Sequence, residues 1–253
     1  MIGSMTRKSP FFCAVISALV AWLYWDRLST FPGTTGEAPP IIDMAEEHSL
    51  LVKQISHACE KWGFFQVVNH GIPLELTNRM DLETRAFFAL PKSEKSFVKR
   101  SDTNPRGWFD DELTKRKPDW KEAFDVGLEG EFEIDGTNRW PNHNSEFKST
   151  VLEYYDAISA LSLQLMEIIA EGLELEPRKL TKEFENHTSF LRLNYYPVCD
   201  VYKVVGENWT ALEEPDVKEN GVLAINKHTD AGFLTVLRQR VQDPRYVPCS
   251  ISV

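Results

Sequence analysis

Residues 224–237 read AINKHTDAGFLTVL, and the triple His228-Thr229-Asp230 inside that run decides how the chain is read. Two residues that stand two apart on a strand project to the same face. His228 and Asp230, so placed, set an imidazole nitrogen beside a carboxylate oxygen. That is two thirds of the 2-His-1-carboxylate set that suits non-haem Fe(II), a metal that takes borderline ligands and keeps positions open. A lone H-x-D triple is common by chance, so its surroundings carry the weight. A strand-like run at 221–225 precedes it and another at 232–238 follows, which puts the pair at the end of a strand.

The bulk composition narrows the field. At 42% hydrophobic and 26% charged, the 253 residues suit a globular chain with one large domain or two small ones. The net charge of -10 argues against nucleic acid as a partner, because neutralising phosphates needs basic surface. Cys13, Cys59, Cys199 and Cys249 show no C-x-x-C spacing, so neither a zinc knuckle nor a redox pair is indicated. Scattered cysteines fit reduced thiols.

The N-terminus points to a membrane. FFCAVISALVAWLYW, residues 11–25, is apolar apart from Ser17, follows Arg7 and Lys8, and precedes Asp26 and Arg27. The run is shorter than the ~20 residues of a spanning helix, but Lys8 could snorkel and Trp22, Tyr24 and Trp25 could sit at an interface. It also has the form of a secretory signal. No clean small-x-small cleavage site follows, so an uncleaved anchor ranks above a removed signal, with a buried helix of a soluble domain third. The sequence therefore predicts a transmembrane segment, membrane contact through residues 11–25, and a membrane-anchored or secretory-pathway location, with the cytoplasm as the alternative. The sequons at Asn186 and Asn208 barely weigh on this choice.

Five segments emerge along the chain. Residues 1–29 hold the apolar run, and 30–40 (TFPGTTGEAPP from Thr30) form a linker. Within 41–143, Ile41-Ile42-Asp43 is strand-like, a helix spans 45–62 with Gly63 able to close it, 64–69 is a strand, and a second helix runs from Pro73 to Leu90. Within 144–239, Ser145 is read as the cap of a long helix that ends before Pro177, and 190–196 (FLRLNYY) is a strand. Residues 202–221 read as a polar loop, and 240–253 change character. Strands and helices in this order predict an α+β fold. On the 190–196 strand, Asn194 and Tyr196 share a face, and an amide and a phenol there could hydrogen-bond a carboxylate. Arg192 shares that face as an ion-pair partner. Tyr196 taken alone would be a half-buried core aromatic.

The chain resembles the 2-oxoglutarate/Fe(II)-dependent dioxygenases of plants and fungi, the group that includes isopenicillin N synthase. The resemblance rests on PPIID at 39–43, WGFFQVVNHGI at 62–72, DWKEAFD at 119–125, LRLNYYP at 191–197 and HTDAGFLTVL at 228–237, in the family's order. It implies a jelly-roll (double-stranded β-helix) core behind an N-terminal helical region. It implies His228 and Asp230 on Fe(II), Asn194 and Tyr196 near 2-oxoglutarate as co-substrate, and O2 oxidising a small-molecule substrate by hydroxylation or desaturation. His70 is read as structural.

Three departures qualify this. The 199–220 loop is long, no histidine follows His228, and the family's R-x-S pair is missing, since Arg238, Arg240 and Arg245 stand in no such motif. The sequence therefore predicts a C-terminally truncated chain with an incomplete jelly-roll, weakened metal and co-substrate binding, and little or no turnover. Two further readings stand beside it: a non-catalytic fragment or partner-binding module, and an isopenicillin-N-synthase-like oxidase that uses no 2-oxoglutarate.

Overall fold

A computed structural model describes residues 39–240 apart from 115–116, 119–120, 129–135, 143, 185–187, 198–201, 206–207 and 212–231, together with two strands near the N-terminus. Those strands are β1 (Phe11–Ile16) and β2 (Ala18–Leu23). Then follow β3 (Ile41–Asp43), α1 (His48–Lys61), β4 (Phe65–Val68), α2 (Leu74–Phe88), the short α3 (Lys92–Lys95) and β5 (Gly107–Phe109). A small hairpin of β6 (Leu113–Thr114) and β7 (Lys117–Pro118) leads into β8 (Glu122–Gly127). The long α4 (Ser145–Gly172), α5 (Arg178–Thr181), β9 (Phe190–Tyr196), β10 (Tyr202–Val205), β11 (Asn208–Ala211) and β12 (Leu234–Arg240) complete the order.

The helices form where the apolar spacing demands. On α1, Leu51, Ile55 and Ala58 are buried along one stripe. Trp62 and Gly63 donate back to the carbonyls of Ala58 and Cys59, and Gly63 sits at φ +75°, so the expected glycine closes this helix. Helix α2 starts behind Pro73, which fixes φ and has no N–H to lose. Helix α4 is capped one residue earlier than the sequence suggested. Asn144, not Ser145, accepts the Phe147 N–H at 2.9 Å, because its longer side chain reaches the third turn position while Ser145 is already helical.

Eight strands make one mixed sheet in the order β3-β4-β2-β12-β1-β9-β8-β5. From β1 to β5 the neighbours are antiparallel, with Arg192 opposite Asp125 and Asn194 opposite Ala123 across β8 and β9. One face of the sheet carries Phe65, Val67, Phe124, Val126, Leu191, Leu193, Leu234 and Val236 into a core shared with α1, α2 and α4. At its centre Phe147 lies 5.0 Å from Phe87 and 5.3 Å from Phe124, ring to ring. Removing a fully buried ring of this kind costs roughly 3–5 kcal/mol. The mixed helix-and-sheet architecture is the predicted class.

Two further expectations are corrected. The expected transmembrane helix is not found: among the described residues no helix is long and apolar enough to cross a membrane, and Phe11–Ile16 and Ala18–Leu23 are strands. A run this short falls well below the ~30 Å of a hydrocarbon core at ~1.5 Å per helical residue. Uniform apolarity is equally the pattern of a strand covered on both faces, so it never distinguished the two. The second correction falls within the expected 202–221 loop, where 202–205 and 208–211 instead pair as antiparallel strands, Tyr202 opposite Ala211 and Val205 opposite Asn208, while 212–221 lie outside the described residues. The β-branched residues Val204, Val205 and Thr210 favour extended backbone despite the polar composition.

Gly107 is the tightest point of the sheet's edge. Its φ is +109°, and a Cβ there would stand 2.1 Å from the Val98 carbonyl oxygen. Backbone cannot yield as a side-chain tip can. Gly107→Ala should therefore lose about 2–4 kcal/mol in urea unfolding. A change under about 0.5 kcal/mol, the range of an ordinary surface substitution, would contradict the packing.

Candidate active site

Strand β9 alternates in chemistry as well as direction. Leu191, Leu193 and Tyr195 face the helices, with Tyr195 stacked 5.2 Å from Phe88. Arg192, Asn194 and Tyr196 project from the opposite face. The structure thus brings together the three residues that the alternation had grouped. Asn194 is 4% exposed, and its Oδ1 has no hydrogen-bond partner among the described residues. An amide oxygen buried without a partner costs about 1–3 kcal/mol, so it marks a place where another group completes the set. Tyr196 is half-buried at the end of the same strand.

Arg192 is the expected ion-pair residue. Its Nε and Nη2 donate to the two carboxylate oxygens of Asp125 at 2.8 and 2.7 Å, a two-pronged contact across the register pair. Nη1 donates to Glu112 at 3.3 Å, and Glu112 in turn meets Lys121 Nζ at 2.6 Å. Asp125 and Lys121 are buried, and Glu112 and Arg192 are partly so. Two anions and two cations make the cluster neutral as a whole, which removes most of the cost of keeping charge beside Asn194. Burial pushes the Glu112 carboxyl up, but Arg192 and Lys121 outweigh it and hold the carboxyl below its ordinary value. Burial works against the Arg192 charge, yet its bonds to Asp125 and Glu112 keep it above the usual arginine range.

The sequence reading missed Asp125, Lys121 and Glu112. A signal existed for two of them. In KEAFD, residues 121–125, Lys121, Ala123 and Asp125 fall on one side of an extended chain, so opposite charges flank a small residue. Glu112 carried none, because it stands outside that motif, just before β6.

Other candidates sit elsewhere. His228 and Asp230 lie outside the described residues, and β12 begins at Leu234, slightly later than expected. Among the described residues no three His, Cys, Asp or Glu side chains gather as a metal site. Arg238 belongs to the helix face, where it pairs with both carboxylate oxygens of the buried Asp81 on α2. His70 turns inward on its own loop: Nδ1 accepts the Ile72 N–H at 3.2 Å, and burial, with the nearby Arg238 charge, pushes the imidazole down.

Comparison with known proteins follows the same lines. Residues 39–143 match the family described as non-haem dioxygenase in morphine synthesis, N-terminal. The chain is 31% identical to gibberellin 3-beta-dioxygenase 1 of Arabidopsis thaliana over 215 residues, covering 82% of this chain and 54% of that protein. It is 30% identical to flavanone 3-dioxygenase of Petroselinum crispum over 199 residues, covering 78% and 49%. The crystal structure of JOX2 in complex with 2OG, Fe and JA superimposes with a TM-score of 0.56 at 28% identity, covering 69% of this chain and 55% of that one. The chain spans about half the length of the curated relatives it matches.

Two measurements probe the cluster. Asp125→Ala leaves Arg192 without its main partner, and breaking a buried pair from one side should cost about 3 kcal/mol in denaturant unfolding. A loss near zero would show that the pair is not closed in solution. Glu112 titrates lower folded than unfolded, so its contribution is present above the ordinary value of 4.5 and disappears as pH falls through the folded value. Stability measured from neutral pH downward should decline less steeply in Glu112→Gln than in the parent chain; parallel curves would contradict the assignment.

Proposed function

We propose, for a chain that belongs to the 2-oxoglutarate/Fe(II)-dependent dioxygenases, oxidation of a small organic molecule by O2 with 2-oxoglutarate as co-substrate. The mixed sheet is the part of a jelly-roll that bears the site, and its non-helical face is the interior of that roll. The observation that carries the reading is the buried Asn194 amide, whose Oδ1 has no partner among the described residues. With the amide turned end for end, its NH2 would meet a carboxylate at that place.

Each residue then has a task. Asn194 orients a co-substrate carboxylate by donating to it. The Tyr196 hydroxyl, two residues along on the same face, is placed to donate as well. The Arg192–Asp125 pair keeps the floor beside them polar but neutral, so it does not attract the anion away from Asn194. The donor set of His228 and Asp230 suits Fe(II), and these two would hold it. When bound, the iron supplies the oxidative chemistry: 2-oxoglutarate, O2 and R–H become succinate, CO2 and R–OH. The site residues orient the carboxylate and exclude water. Gibberellin 3-beta-dioxygenase 1 and flavanone 3-dioxygenase are enzymes of small organic compounds by name, which supports that substrate class here.

The experiment is binding first and turnover second. Titrated with 2-oxoglutarate anaerobically in the presence of Fe(II), the chain should bind it, and Asn194→Ala should weaken binding about tenfold, the loss of one good hydrogen bond to a charged group. Equal affinity in the two proteins would remove Asn194 from the site. With O2 admitted, succinate in excess of protein identifies a turning-over enzyme. Binding without succinate identifies a chain that holds the co-substrate but does not oxidise.

A further inference from the structure

Glu112 immediately precedes β6, and Lys121 lies just before β8 at the far end of the β6–β7 hairpin. They meet at 2.6 Å, so the hairpin is closed at its stem by an ion pair. Leu113 pairs with Pro118 and Thr114 with Lys117 inside it. The same Glu112 carboxylate accepts from Arg192 at 3.3 Å through its other oxygen. Arg192 also grips Asp125 on β8 and lies 5.1 Å from the centre of the Phe109 ring on β5, which Arg100 covers at 3.5 Å. One guanidinium therefore touches β8, β5 and the hairpin stem, from a position two residues before Asn194.

An anion site at Arg192 is the obvious alternative, and the geometry disfavours it. The fork is already committed to Asp125, and any incoming anion would face both Asp125 and Glu112. We propose instead that Arg192 is a positioning residue that locks the stem of the 113–118 hairpin onto the face carrying Asn194 and Tyr196, so that co-substrate binding and hairpin docking are coupled. The inference rests on the co-substrate reading given above. Arginine suits the task because its planar fork holds Asp125 with two donors and still offers a third to Glu112, whereas lysine is a single point charge. Supporting groups of this kind commonly change ligand affinity by about 10–100-fold when removed.

The test uses the full chain with Arg192→Gln, Arg192→Lys, Glu112→Gln and Asn194→Ala, and reads two quantities. The first is the initial rate of trypsin cleavage after Lys115 and Arg116, which stand between β6 and β7 in the sequence. The second is 2-oxoglutarate affinity with Fe(II) under anaerobic conditions. Arg192→Gln should raise the cleavage rate and weaken 2-oxoglutarate about tenfold, and Arg192→Lys should restore part of both. Glu112→Gln, which leaves the Arg192–Asp125 contact in place, should raise cleavage and weaken affinity less; it carries the comparison if Arg192→Gln does not fold. Cleavage at the parent rate in Arg192→Gln and Glu112→Gln overturns the lock. Faster cleavage with unchanged affinity, while Asn194→Ala loses affinity, overturns the coupling and leaves the co-substrate reading standing. Unchanged affinity in Asn194→Ala brings down the co-substrate reading, and this inference with it.

Discussion

Strand β9 has to satisfy two solvents at once. On one side it lies against helices through Leu191, Leu193 and Tyr195; on the other it must present Arg192, Asn194 and Tyr196. Both sides are largely buried, so the polar side cannot rely on water. The contact that makes this tolerable is the double bond from Arg192 to Asp125, made across an antiparallel pair in which the two residues are in register. A one-residue slip would put Arg192 among the phenylalanines and Leu191 beside Asp125. The ion pair therefore fixes register more than it adds stability, since a buried pair rarely outweighs its own desolvation by much.

That register has consequences on both faces. On the helix side it sets Phe124 beside Phe87 and Phe147, where the three rings pack within 5.3 Å of one another. On the other side it sets Ala123 opposite Asn194, so the amide meets a small neighbour across the strand and not a bulky one. The same strand pair thus seals the core and shapes the ground around Asn194. Stability and site geometry are coupled through one alignment, which is why the polar cluster and the aromatic cluster cannot be redesigned separately.

The helices and the β9 alternation were legible because each rests on local periodicity: the buried stripe of α1, the glycine that ends it, and the FLRLNYY pattern are all visible in the chain. Three things were not. The apolar run at 11–25 has no period to read, so membrane helix and covered strand look alike until partners are known. The cap of α4 lay between two good capping residues, Asn144 and Ser145, and only backbone geometry separates them. Glu112 meets Arg192 from 80 residues away, and no local pattern encodes such a meeting. The H-x-D pair that first suggested the chemistry lies outside the described residues, so the site now stands on Asn194, Tyr196 and the charges around them.

Arg192 and Arg238 show why face matters more than residue type. Each holds an aspartate through a two-pronged contact, from the middle or end of a strand. Arg238 shares its face with Leu234 and Val236, so its partner Asp81 comes from α2 and the pair is spent in joining sheet to helix. Its charge also bears on His70, whose imidazole is pushed down by burial and by that charge. Arg192 sits on the opposite face, where its partners come from β8 and a hairpin stem and its neighbour is an amide whose oxygen has no partner among the described residues. Identical chemistry thus serves the core in one place and the site in the other, and the difference is set by a single parity along the strand.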